Sequence, residues 1–138
     1  MIGRITAVAF GVLIAAALVI VVQMIGHAIY PPPTGIGGND PDALLAMVAE
    51  APVGALLFVI LSYIFGAFGG RMLAALVARQ TPFMYASIVG AFVLAGTIMN
   101  LNAISHPLWF VITPVMAIVA TVLLTGRIAP MMISEKQD

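Results

Sequence analysis

The sequence predicts an all-α, polytopic membrane protein whose four transmembrane helices form a compact bundle. Two observations predict it. Of 138 residues, 63% are hydrophobic and only 7% charged, and the mean hydropathy is +1.20. Soluble domains carry about 25% charged residues, and a chain this short cannot hide so much apolar side chain from water. The apolar residues also fall into four runs, near 5–30, 52–79, 83–100 and 107–125. Each approaches the ~20 residues needed to cross a hydrocarbon core about 30 Å thick. The breaks between them, "PPPTGIGGNDPD", "RQTP" and "NLNAISHP", carry turn residues or proline. The length fits one domain, 1–138.

The first span opens "MIGRITAVAFGVLIAAALVIVV". An arginine followed by an apolar run is also how a secretory signal begins, but signal cores span about 7–15 residues and lead to small residues. Here the run continues to Gln23 and bulky residues follow, so a retained span is expected. Gly3, Ala7, Gly11 and Ala15 form a small-residue stripe at four-residue spacing. Continued by fours, it reaches Val19, Gln23 and His27, which places these polar groups on the expected bundle-facing side. Tyr30 suits the membrane interface, and Pro31–Pro33 ends the helix with a stiff extended exit.

Within the 31–51 connection, "NDPD" reads as a helix cap and "ALLAMVAE" as a short amphipathic helix ending at Glu50. The second span carries Ser62, Gly66, Gly70, Ala74 and Ala78, and the third Ser87, Ala91 and Ala95. The fourth begins near Pro107, adds Trp109 and Phe110 to an aromatic belt, and carries Thr113, Ala117, Thr121 and Thr125. Between helices in lipid no water-driven squeeze operates, so small residues that admit close approach become the packing signal. Gly11, Ser62, Gly66, Gly70 and Ala91 are the expected packing positions. One such face per span leads us to expect at least a dimer or a larger membrane complex. Pro114 inside the fourth span frees a carbonyl, for which Thr113 is the expected local partner.

Basic residues favour cytoplasmic connections. Alternating the spans puts Arg4, Arg71, Arg79, Arg127 and Lys136 on one side and Asp40, Asp42 and Glu50 on the other. Both termini are therefore expected in the cytoplasm of a bacterial cell, with the chain in its inner membrane. Arg71 lies roughly 28 Å along the second helix from Pro52, near the inner interface, where its stem would let the charge reach headgroups.

Net charge is zero and no basic cluster exists, so nothing suggests a nucleic-acid partner. The absence of cysteine excludes disulfides, thiolate metal sites and thiol nucleophiles. No GxSxG, HExxH, P-loop or paired acidic motif is present, so no catalytic residue is assigned and an enzyme is not expected. Strongly polar groups in a membrane mark functional sites by default, and here they gather at one level. Gln23, His27, Tyr30, Glu50, Asn100, Asn102, His106 and Trp109 all fall near the outer ends of their segments. They form the candidate ligand site. His27, Glu50 and His106 offer two imidazoles and a carboxylate, donors suited to zinc or another transition metal, and two histidines could also ligate haem. Neither histidine sits in a metal-spacing motif, and the cofactor stays unnamed.

"GHAIYPPP", "APVGALLFV", "GAFGGRMLAALVAR" and "ISHPLWF" together resemble small four-span bacterial inner-membrane proteins. The resemblance covers nearly the whole chain and implies a fold and a location, but no activity. The expected function is an accessory or scaffolding subunit, or a self-assembling bundle in contact with membrane lipids. The alternative is small-molecule, metal or haem binding or transport at the outer site around His27 and His106.

Overall fold

A computed structural model describes residues 2–32, 40–78, 82–103 and 108–134. All regular structure among them is helical: α1 (Ile2–Ile29), α2 (Pro41–Glu50), α3 (Val53–Ala78), α4 (Pro82–Ala103) and α5 (Leu108–Ser134). α1, α3, α4 and α5 are each long and apolar enough to cross a membrane. The boundaries follow local chemistry. Asp40 caps α2, its carboxylate accepting from the backbone N–H groups of Asp42 at 3.1 Å and Ala43 at 3.4 Å. Pro52 stands immediately before α3 and Pro82 opens α4, positions where a missing N–H costs nothing.

The fourth long helix runs well past the expected end near 125. Gly126 does not break it, and α5 continues through Pro130 to Ser134. An apolar "IAPMMIS" tail supports this extension, and a transmembrane helix tolerates proline where neighbours or side chains satisfy the released carbonyl. The Thr113 expectation is also corrected. Its hydroxyl donates to the Trp109 carbonyl at 2.6 Å, whereas the helix bond that Pro114 cannot donate would have gone to the carbonyl of Phe110, four residues before it.

α3 is the hub. It packs against α1, α4 and α5, while α4 also touches α1 and α5; among the described residues α1 and α5 do not meet. The α1–α3 seam is antiparallel, and small residues set its spacing. A Cβ added at Gly70 would lie 2.5 Å from the Gly11 carbonyl oxygen and 2.7 Å from the Ala15 Cβ. One added at Gly66 would lie 2.9 Å from the Ala15 carbonyl oxygen and 2.6 Å from Val19 Cγ2. Farther along, Gln23 bonds Ser62, and Gly26 lies against Phe58. The stripes of α1 and α3, with Gly11, Ser62, Gly66 and Gly70 all buried, thus pack within one chain.

Ala91 behaves differently. The 87–91–95 face of α4 is not its packing face: Ala91 and Ala95 are exposed, and Tyr85, Ala86, Val89, Gly90 and Thr97 are buried instead. α4 carries small residues on both sides, and the side bearing Gly90 is the one that accommodates Arg71 of α3. Arg71 itself departs from the expected outward reach of its side chain. It is 2% exposed, enclosed by the chain's own helices instead of reaching headgroups. Gly90 supplies the space, since an added Cβ there would collide with Arg71 Nη1.

Candidate functional site

At the end of the bundle that carries α2 lies a cavity of about 510 Å³. α1 contributes its C-terminal turns, α3 its N-terminal half, α4 Asn100 and α5 Phe110. The apolar wall includes Leu56, Phe58, Val59 and Phe110, with Met47 and Val48 from α2 closing one side. Five of the residues expected from sequence share this lining: Gln23, His27, Tyr30, Glu50 and Asn100. They come from α1, α2 and α4 and the segment after α1, so the bundle brings together groups separated by up to 77 positions, 100 − 23.

The polar floor is fixed by hydrogen bonds. Gln23 Nε2 donates to Ser62 Oγ at 3.2 Å, and the Ser62 hydroxyl donates to the Val59 carbonyl at 2.7 Å. With Ser62 fully buried, this chain spares a hydroxyl the cost of lying unpaired in apolar surroundings. The Gln23 amide oxygen remains able to accept from an occupant. At the rim, Tyr30 leans on Phe58 with ring centroids 6.2 Å apart and planes at 57°, and its ring fills the space left by Gly54.

His27 lines the cavity but is exposed, whereas Gly26 is the buried residue of that turn. The four-residue stripe explains the difference. Each step of four advances 400° on a helix turning 100° per residue, so a strict stripe drifts about 40° per step. The packing face of α1 keeps to α3 by stepping three residues from Gln23, which selects Gly26 and leaves His27 at the cavity's open side.

Asn102 and Trp109 do not contribute to the lining. Asn102 is exposed, its Nδ2 donating to the Ile98 carbonyl at 2.9 Å, and Trp109 stacks edge-on with Phe110 at 5.7 Å. His106 lies outside the described residues. No group of three His, Cys, Asp or Glu side chains able to hold a metal occurs among the described residues. α3 stands between α1 and α5, which separates the helix carrying His27 from the one that follows His106.

Tyr63 is the lining residue that sequence reasoning missed. It is 6% exposed and reaches the cavity from the α3 face beside Ser62. A tyrosine mid-span, next to the serine that Gln23 meets, was the available signal. The arrangement can hold an apolar body while offering an amide, an imidazole, a phenol and a carboxylate at its margin. No family model, curated protein or solved structure matches the chain.

Proposed function

We propose that this protein is a membrane-embedded binder of a small amphipathic molecule. The occupant places its apolar body among Leu56, Phe58, Val59 and Phe110 and its hydrogen-bonding end toward Gln23, His27, Glu50 and Asn100. The observation that carries this reading is the cavity of about 510 Å³ with five separately expected polar residues around it. Ligand sites typically have about 300–1,000 Å³, apolar walls and a few convergent polar groups. Of the features behind the subunit reading, the small-residue faces of α1 and α3 are used inside the chain. A specific observation still favours self-assembly as a second reading: Ala91, Ala95 and Gly96 remain exposed on α4, with nothing within 4 Å of a Cβ added at Gly96.

Native mass spectrometry of the chain purified in mild detergent tests both. The binder reading expects a bound amphipathic molecule that dissociates on activation and is identified by extraction. Ala55 lines the cavity, so Ala55→Trp should fill it and weaken binding at least tenfold, about 1.4 kcal/mol, without unfolding the bundle. A chain free of any bound molecule, which also fails to take up a fluorescent apolar probe, would sink the proposal. Dimers that dissociate in Ala91→Leu would support assembly through α4.

We further place the chain in a bacterial inner membrane with both termini cytoplasmic and the cavity facing outward. Arg4, Arg79, Arg127 and Lys136 support this orientation, all falling at the ends opposite α2 when the spans alternate. A cysteine at position 38, replacing Gly38, should react with an impermeant thiol reagent on intact cells. Labelling only after permeabilisation would reverse the orientation.

A further inference from the structure

The hydrogen bonds at the cavity floor fix which way its amide faces. The Ser62 hydroxyl gives its hydrogen to the Val59 carbonyl at 2.7 Å, so toward Gln23 it can only accept. The Gln23 atom 3.2 Å away must then be the donor Nε2, and Oε1 remains to accept. Glu50, in the same lining, brings a carboxylate, which when ionised accepts and cannot donate. Acceptors of this kind call for N–H or O–H groups on the occupant.

Charge narrows the choice. The stretches 5–70 and 80–126 hold every described residue of the lining and contain no Lys or Arg, whereas Asp40, Asp42 and Glu50 stand in or beside α2. His27 is the one described lining residue able to become cationic. Arg71 lies about 12 Å farther along α3 than Tyr63, away from α2, so its field drives a cation toward Glu50. The start of α3 offers an anion little. The N–H groups of Ala55 and Leu56 both bond to the Pro52 carbonyl, and the Tyr30 hydroxyl lies against Gly54.

Aromatic rings point the same way. Tyr30, Phe58, Tyr63 and Phe110 all line the cavity, with Tyr30 and Phe58 side by side at the rim. Ring faces carry negative charge density and attract an ammonium, most strongly where water is excluded. We propose that the outer cavity takes a lipophilic organic amine in its protonated form, one ammonium group on a compact aryl or alkyl body. Glu50 supplies the negative field that selects the charge, the acceptors of the margin favour its N–H groups, and the body lies among Leu56, Val59 and Phe110. The proposal rests on the amphipathic-ligand reading of this cavity and adds the sign of the ligand's charge.

Three compounds with one body test that sign: 4-phenylbutylamine, 4-phenylbutanol and 4-phenylbutyrate, a cation, a neutral molecule and an anion at neutral pH. Each competes with the fluorescent apolar probe on the full chain in zwitterionic micelles, with empty micelles as the partition control. The amine should displace the probe at a concentration at least tenfold lower than the alcohol, and the butyrate should be weakest. Glu50→Gln keeps the shape of an exposed side chain and removes its charge. It should weaken the amine about fivefold, the upper end for an exposed ion pair, and leave the alcohol unchanged. Should that variant fail to fold, the ranking of the three compounds on wild type decides alone. Amine and alcohol displacing the probe equally, a tighter butyrate, an amine affinity unaltered in Glu50→Gln, or equal losses for amine and alcohol there each overturns the charge assignment while the binder reading stands. A probe that the wild-type chain does not take up removes the binder reading and the amine with it.

Discussion

Gly70→Val should split the bundle along its central seam and cost about 3 kcal/mol or more, the upper end of what overpacking usually takes. The reason is what the new side chain meets. A Cβ at position 70 would lie 2.5 Å from the Gly11 carbonyl oxygen, 2.7 Å from the Ala15 Cβ and 3.2 Å from Val89 Cγ1. Two of those three contacts are with a backbone atom and an alanine methyl, neither of which can rotate aside. Relief requires moving α1 as a body, and α1 has no other extensive partner than α3. Between lipid-immersed helices this seam also lacks a hydrophobic reserve, because lipid tails solvate an apolar face as well as another helix does. Thermal unfolding in micelles, followed by circular dichroism, should show the loss. Gly96→Val is the control, since nothing lies within 4 Å of the added Cβ, and it should differ only by the propensity of valine in a helix. Equal melting of the Gly70 variant and wild type would mean that α1 and α3 do not approach as described.

The contrast between those two glycines shows what the sequence could and could not convey. That the faces of α1 and α3 meet each other was not readable, but the packing faces themselves were, because small residues recur on one side of each helix, at 7, 11 and 15 and at 62, 66, 70 and 74. α4 was not. It has Ala86 and Gly90 on one side and Ala91 and Ala95 on the other, and in lipid both sides are apolar, so neither small size nor hydropathy distinguishes them. What decides is the bulk of Arg71 on α3, which needs the space at Gly90, a pairing visible only once the register is known. Level along the bundle, in contrast, was readable for five of the expected site residues. Chain topology alone returns Gln23, His27, Tyr30, Glu50 and Asn100 to one level, and they share one cavity. Azimuth was readable only near the start of the stripe: the accumulated drift of a four-residue step carried His27 away from the packed face by the sixth turn, where Gly26 replaced it.

Phe110→Ala tests the cavity from the side of energetics. Phe110 is 1% exposed, belongs to the cluster of Val48, Leu56, Ile60 and Leu101, and forms part of the cavity wall. Truncation of a buried phenylalanine costs about 3–5 kcal/mol in aqueous proteins, through lost transfer energy and the void left behind. Here the transfer part shrinks, because much of the unfolded reference stays in lipid or detergent, and the packing part remains. A loss near the low end, about 3 kcal/mol, is expected. The two variants should then respond oppositely to an added apolar solute. In Gly70→Val there is too much volume and nothing to fill, so a solute cannot help. In Phe110→Ala the void merges with the existing cavity of about 510 Å³, and engineered apolar cavities take up small aromatic molecules. Benzene or a short alkyl alcohol should therefore restore part of the Phe110→Ala midpoint while leaving Gly70→Val unchanged. Recovery in both would indicate a nonspecific effect on the micelle, and recovery in neither would show that the α2 end of the bundle closes over the missing ring.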